Sequence, residues 1–376
     1  MSSLGRRPRR LRRPSKSASA KSAEHRLAVR STIAGMRSYP SQPVEGIRMD
    51  LNMNIVLPAP GLARIAASFP LENANAYPSQ DSAPLREALS KKFRVPPEDV
   101  IVANGSNEII DYAMRAFVEP GSVVNTVEPS FSMYPFFAAT NGARLAAFPL
   151  RKDFTFDPSR LARARGARIV PTPNNPTGNR FAPEAVREVV EAAARRKPAD
   201  VVLIDEAYAE YCGQDLTPLV REFPNVVCLR TFSKVYGLAG LRIGYAIASP
   251  PAAEVIARVR PPFALNAMSE HFALAMLARP EYVKKVVEGT VAERRRLASS
   301  LSVRHFGVFP SDANFLLART PRGTSSRDVV ARLARSGLAV KDFSHVPRLE
   351  NTIRVTVGSR KINDLFVEAL DAALRK

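Results

Sequence analysis

Four short segments of this 376-residue chain carry side chains arranged for chemistry. Val201-Val-Leu-Ile-Asp-Glu-Ala-Tyr208 ends an apolar run on an acid. In open α/β sheets, ligands bind beyond the carboxyl ends of strands, so Asp205 stands where a carboxylate can meet a ligand. An Asp after a strand also reads as a helix cap. Arg230-Thr-Phe-Ser-Lys-Val-Tyr-Gly-Leu-Ala-Gly-Leu-Arg-Ile-Gly244 places a lysine after a strand and two hydroxyl residues, with Arg242 eight positions on. Lysine forms Schiff bases with carbonyl groups, and hydroxyls with a nearby arginine suit a phosphate. Alone, Lys234 also reads as a solvated lysine in a turn, and Gly237, Gly240 and Gly244 have the wrong spacing for a dinucleotide fingerprint. Pro171-Thr-Pro-Asn-Asn-Pro-Thr-Gly178 is a rigid turn, from which the Asn175 amide could donate to a ligand oxygen. Ala103-Asn-Gly-Ser-Asn-Glu108 runs from a strand through glycine into a helix. Free N–H groups at such a helix start form an anion site, and Ser106 also serves as an N-cap.

These segments need a scaffold that brings strand ends together. Seven short β-branched or apolar runs supply one: Val100–Ala103, Val123–Val127, Arg144–Phe148, Arg168–Thr172, Val201–Asp205, Val226–Arg230 and Arg242–Ala248. Helical stretches lie between several of them, at Ser106–Val118, Pro183–Arg196 and in a short piece after Lys234. Strands that are nearly continuous in apolar residues and separated by helices predict a mostly parallel sheet covered on both faces. The last third differs. A long charged helix over Glu281–Ser300 precedes strand candidates Val303–Val308, Ala313–Leu317, Leu338–Lys341 and Ile353–Val357, with helices at Ser326–Ser336 and Asn363–Leu374. The expected fold is α/β, with a large seven-stranded domain over 66–265 and a smaller α+β domain over 266–376. A basic tail over 1–35 and an arm over 36–65 that packs on the small domain precede them.

Composition narrows the class. Hydrophobic residues are 45% and charged residues 24%, ordinary for a globular protein. No run approaches 18 consecutive apolar residues, so a spanning helix is not expected. Residues 1–30 hold ten Lys or Arg and one acid, leaving about +11 of the net +20 on the rest. Such a tail can bind polyanions or stay solvated. Its Ser15 to Glu24 stretch is too polar for the apolar core of a secretory signal, while an Arg-rich, Ser-rich, acid-poor leader also fits an organelle transit peptide. Cys212 and Cys228 lack the spacing of a zinc site or disulfide framework, and the four histidines form no metal-ligand motif, so no metal is expected. Two reduced thiols suit a cytoplasmic protein.

Taken together, the four segments and Ile353-Arg-Val-Thr-Val-Gly358 resemble the class I/II, fold-type I pyridoxal-phosphate-dependent aminotransferases, nearest their histidinol-phosphate aminotransferase branch. The likeness runs from about Leu51 to the C-terminus. It implies that Lys234 holds the cofactor carbonyl and then moves the proton at the substrate Cα. Asp205 would pair with the ring nitrogen, Tyr208 and Asn175 with the ring hydroxyl, and Phe131 would stack on the ring. Gly105, Ser106, Asn107, Thr231, Ser233 and Arg242 would cup the phosphate. Arg354 would grip one end of the substrate, with Asn54 and Lys341 nearby. Tyr77, in Asn75-Ala-Tyr-Pro78, matches a tyrosine that reaches a neighbouring subunit's phosphate, which implies a homodimer. The implied partners are an amino donor and a 2-oxo acid such as 2-oxoglutarate.

The sequence also departs from that pattern. Where the branch often reads Asn-Glu-Asn-Pro, this chain has Asn54-Ile-Val-Leu57, so two substrate-side polar groups are replaced by Ile55 and Val56. Asn107 stands where an Asp is usual. Lys341 stands where an arginine for a substrate phosphate is common, and lysine lacks the bidentate fork. The tail is outside the family pattern. A decarboxylase resembling threonine-phosphate decarboxylase keeps the same cofactor residues, and a polyanion-binding protein using the tail is the third reading.

Overall fold

The seven runs pair into one sheet in the computed structural model, which describes residues 28–36, 38 and 45–375. The basic tail therefore lies largely outside the described residues. The chain divides into two units, Met1–Pro40 and Ser41–Lys376. The first contributes a single helical turn at Ser31–Ala34 among its described residues. The second holds everything that follows.

The strands, in chain order, are β1 (Ile47–Arg48), β2 (Val100–Ala103), β3 (Val123–Glu128), β4 (Arg144–Pro149), β5 (Arg168–Pro171), β6 (Val202–Asp205), β7 (Val226–Thr231), β8 (Gly244–Ala248), β9 (Gly307–Val308), β10 (Phe315–Arg319), β11 (Leu338–Ala339), β12 (Lys341–Asp342) and β13 (Thr352–Thr356). The large sheet has the order β2-β8-β7-β6-β5-β3-β4. Only β8 is antiparallel to its neighbours, β2 and β7. Alternation along the strands divides the core. Val100, Val102, Val202, Ile204, Val226 and Cys228 join one apolar cluster. Ile101, Ala103, Leu203, Val227 and Leu229 join the other. Both faces are thus covered, as the continuous apolar runs require.

The parallel strands all end at one sheet edge. Asp205 closes β6, the 171–178 turn leaves β5, and the helix Ser106–Phe117 opens after β2. Because β8 runs back beside β7, residues 232–243 must loop over that same edge, carrying Ser233, Lys234 and Arg242.

A second sheet, β12-β13-β10-β9, is antiparallel throughout. The two-residue strand β1 pairs in parallel with β11, and Met49 is fully buried in the cluster under this smaller sheet. The helix Pro280–Ser302 contributes Tyr282 and Val286 to the first large-sheet cluster and Leu297 and Leu301 to the cluster under the smaller sheet.

Three expectations are corrected. The helix after Lys234 is only a 3₁₀ turn, Ala239–Leu241, bracketed by Gly237 and Arg242 at positive φ, which stop helix propagation. The Val303–Val308 strand shrinks to β9, because the preceding helix continues to Ser302 and Val303 caps it. The Leu338–Lys341 strand is two short ones, β11 pairing with β1 and β12 with β13. No helix among the described residues is long and apolar enough to cross a membrane.

Candidate active site

The acid at the end of β6 is buried, with 9% of its surface exposed. Its Oδ2 accepts from the Tyr134 hydroxyl at 2.7 Å and its Oδ1 from the Ala207 N–H at 3.1 Å. Burial pushes the Asp205 carboxyl above its ordinary range, and the two donors and the Lys234 ammonium offset part of that rise. The Tyr134 hydroxyl is held well above its usual value, by burial first and by the Asp205 charge next, so it stays a donor. Asp205 is thus a buried carboxylate whose two hydrogen-bond donors are neutral groups. A cationic ring nitrogen would be its natural counterpart.

Lys234 is half-buried on the β7–β8 loop, with its Nζ donating to the Leu51 carbonyl at 3.1 Å and lying 5.4 Å from the Tyr208 ring centroid. The Tyr208 ring packs edge-on to Phe315, centroids 5.2 Å apart, and its hydroxyl accepts from Asn52 Nδ2 at 3.1 Å. Phe131 stands edge-on to Tyr134 at 5.5 Å. Its loop is held by Asn174, which donates to the Pro129 carbonyl and accepts from Ser130.

The glycine turn after β2 makes a cradle that side chains would fill. Gly105 has φ +92°, and a Cβ there would lie 2.7 Å from Arg242 Nη2. A Cβ on Gly244, which pairs with Ala103, would lie 2.1 Å from the Ser106 nitrogen. Ser106 and Asn107 are the first residues of the following helix, where N–H groups have no intrahelical acceptor. Arg242 donates to Ser233 Oγ at 3.3 Å, and the Ser233 N–H to Thr231 Oγ1 at 3.0 Å. An arginine, hydroxyls and a helix start around a glycine-lined hollow suit a phosphate dianion. With Asp205 and the Lys234 amine, the donor set fits a heteroaromatic ring that carries a basic nitrogen, a carbonyl and a phosphate.

On the substrate side, Arg354 of β13 is buried. It donates to Asn175 Oδ1 at 2.5 Å and to the Asp50 carbonyl, and its guanidinium lies 5.3 Å from the Phe315 ring centroid. Lys341 is the cross-strand partner of Arg354 and is exposed. Directly opposed residues share a sheet face, which puts the two cations side by side.

Asn54 and Tyr77 make contacts of their own. The Asn54 amide donates to Tyr282 at 2.8 Å and to the Val235 carbonyl at 3.3 Å, and it accepts from the Val56 and Leu57 N–H groups. Tyr77 is 84% exposed and stacks on Phe263 with centroids 4.7 Å apart. Sequence reasoning missed Tyr134 and Asn52. The first has a signal, a second aromatic three residues after Phe131, one helical turn away. The second has only its place in the Leu51–Pro58 stretch.

Residues 63–370 match the profile of the family described as Aminotransferase class I and II. The histidinol-phosphate aminotransferase of Thermococcus gammatolerans is 39% identical over 339 residues, 88% of this chain and 94% of that protein. That of Caldanaerobacter subterraneus subsp. tengcongensis is 35% identical over 351 residues, 91% and 97% of the two chains. Among solved structures, the histidinol-phosphate aminotransferase of Sinorhizobium meliloti in complex with pyridoxal-5'-phosphate superposes with a TM-score of 0.80 at 26% identity, covering 88% of this chain and 92% of that one. L-threonine-O-3-phosphate decarboxylase from Porphyromonas gingivalis gives 0.75 at 22% identity, covering 88% and 100%. At that identity the likeness is one of fold alone.

Proposed function

The chain belongs to the aminotransferase class I and II family, and from that premise we propose that it moves an amino group from histidinol phosphate, or a related donor of that shape, to a 2-oxo acid such as 2-oxoglutarate. It is a fold-type I, pyridoxal-phosphate-dependent enzyme. The decarboxylase reading has only likeness of fold behind it, and the curated relatives with the higher identities are aminotransferases.

The observation that carries the proposal is the pairing at one sheet edge of a buried carboxylate, Asp205, with a half-buried amine, Lys234. When bound, pyridoxal phosphate supplies a carbonyl that condenses with amines and a protonated ring that withdraws electrons. The protein's part is to hold and to move protons. Asp205 keeps the proton on the ring nitrogen, and Tyr134 and the Ala207 N–H hold its two oxygens in place. Arg242, Ser233 and the start of the helix at Ser106 bind the phosphate, with Gly105 leaving room for it. Arg354 occupies the Asn175 oxygen, so the Asn175 amide nitrogen is the end that donates to the ring hydroxyl. Lys234, released from the Leu51 carbonyl, takes the proton at the substrate Cα and returns it at the other end of the transfer.

Arg354 and Lys341 set the substrate. The phosphate of a donor such as histidinol phosphate, carried on the carbon next to Cα, would meet the exposed Lys341 beside Arg354. Lys341→Ala should then raise KM for histidinol phosphate roughly tenfold, the cost of one charge-assisted contact, and leave kcat within a few-fold. A kcat/KM at least tenfold higher for phenylalanine than for histidinol phosphate in the wild-type enzyme overturns the phosphate reading. It would favour the apolar surface of Ile55 and Val56 instead.

The working unit we propose is a homodimer. An aromatic pair standing out from the surface, Tyr77 on Phe263, supports it, because exposed aromatic area gains from burial in a second copy. Mixing chains carrying Tyr77→Ala with chains carrying Lys234→Ala should restore activity above the sum of the two, since a hybrid contains one intact site. No restoration, with sedimentation at monomer mass, would sink the shared site. The two cysteines are unbonded, which supports a cytosolic setting that cell fractionation would check.

A further inference from the structure

Asp50, Leu51 and Asn52 are consecutive, and each touches a different functional residue. The Asp50 carbonyl accepts from Arg354, the Leu51 carbonyl accepts from Lys234, and the Asn52 side chain donates to Tyr208. The first two contacts are made by backbone and could be supplied by any residue type. The third depends on the asparagine.

We infer that Asn52 is a positioning residue that sets the direction in which the Tyr208 hydroxyl donates. Asn52 is 1% exposed and sits at φ +55°, a left-handed conformation that asparagine tolerates better than most residues. Its orientation is determined by its surroundings. The Asn52 N–H donates to Thr356 Oγ1 at 3.0 Å, so the threonine hydrogen is turned the other way and goes to Asn52 Oδ1 at 3.3 Å. With Oδ1 occupied as acceptor, the amide nitrogen is the end that faces Tyr208, 3.1 Å from its oxygen. The backbone carbonyl of Asn52 in turn accepts from Asn314 at 3.1 Å. An amide NH₂ can only donate. The Tyr208 oxygen is therefore the acceptor in this pair, and the phenol's single hydrogen is directed away from Asn52, toward the ligand side. The ring cannot swing to compensate, because it is 6% exposed and packed edge-on to Phe315.

The inference rests on the reading of Tyr208 as the partner of the cofactor's ring hydroxyl, and the experiment separates the two. The readout is the pH at which the visible absorbance of the bound cofactor changes, measured on holoenzyme. A hydroxyl that donates to the ring oxygen stabilises its ionised form, so losing that donor moves the midpoint to higher pH. Tyr208→Phe calibrates the effect, expected at about one pH unit. Asn52→Asp keeps size and tolerance of the left-handed backbone but replaces the donor by an acceptor. It should draw the Tyr208 hydrogen onto itself and shift the midpoint as far as Tyr208→Phe does. The double variant should shift no further than Tyr208→Phe alone. Asn52→Gly keeps the backbone conformation and deletes the amide, so Tyr208 can turn either way, giving a smaller shift in the same direction. It carries the test if the buried aspartate prevents folding. A purely structural Asn52 would lower thermal stability in these variants without moving the midpoint. An unmoved midpoint in both Asn52 variants, with Tyr208→Phe shifted, overturns the inference alone. An unmoved midpoint in Tyr208→Phe overturns the reading of Tyr208 and the inference with it.

Discussion

Lys234→Ala folds and loses turnover by about 10⁴-fold or more. In the proposed mechanism one amine both holds the cofactor carbonyl and moves the substrate Cα proton, so a single truncation would remove nucleophile and proton carrier together, and the losses would not separate into two small ones. The fold has little stake in the residue. Lys234 is half-buried on a loop, and among the described residues its Nζ makes one hydrogen bond, to the Leu51 carbonyl. The thermal midpoint should therefore move by no more than a few degrees. Borohydride treatment of wild-type holoenzyme should bleach the visible band and leave a modified peptide containing residue 234. A label on any other lysine, or near-normal turnover in Lys234→Ala, would remove Lys234 from the mechanism.

Asp205→Asn separates activity from stability. The substitution keeps the size of the side chain but removes the charge that, in the proposed mechanism, holds a proton on the ring nitrogen, so turnover should fall by at least ~10²-fold while cofactor still binds through the proposed phosphate cup. In the cofactor-free protein the sign reverses. Burial raises the folded-state pKa of Asp205 above the unfolded value. Above an ordinary carboxylate pKa the folded form therefore binds more protons than the unfolded form, and stability falls as pH rises through that window to the raised value. Asparagine has no such slope. The thermal midpoint of cofactor-free Asp205→Asn, compared with wild type, should improve steadily from about pH 4 upward. A variant with near-normal rate and no pH-dependent difference would show that Asp205 is a cap and nothing more.

The legible parts of the site are those that follow directly from strand ends. Asp205 ends an apolar run, and Gly105, Asn175 and Lys234 stand just past one; a parallel sheet must bring such positions to one edge, so their placement could be argued before any coordinates, whereas Arg242 opens a run and reaches that edge because β8 is antiparallel to its neighbours. Tyr134 could not be recognised in this way. Within Met133–Thr140, which is apolar apart from Tyr134 and Thr140, a tyrosine reads as core; its spacing from Phe131 places it beside that ring, but the contact of its hydroxyl with Asp205 is seen only in the structure. Asn52 was hidden for a different reason. Its side chain is oriented by Thr356, 304 residues away, and by a left-handed backbone angle, neither of which leaves a local periodicity. The division of Leu338–Lys341 between two sheets was likewise decided by partners distant in the chain, Ile47 and Arg354.

The pairing of an early segment with a late one also fixes when the site can exist. A ribosome emits the chain in order. The large sheet has all its strands once residue 248 is out, whereas Asn52 and Met49 have to wait for Thr356, which accepts the Asn52 N–H at its hydroxyl and donates its own N–H to the Met49 carbonyl at 2.8 Å. At ordinary elongation rates the 304 residues between Asn52 and Thr356 take on the order of 15–60 s. For the last part of that interval, after Ala248 has emerged, the nascent chain carries every strand of the large sheet while Arg354 and Thr356, which hold the Asp50–Asn52 segment against Lys234 and Tyr208, have still to follow. A chain ending at residue 248 would carry every strand of the large sheet but would lack Phe272, Tyr282, Val286 and Phe315, which complete the apolar cluster on one of its faces, so the body and the site are finished together by the last third of the chain.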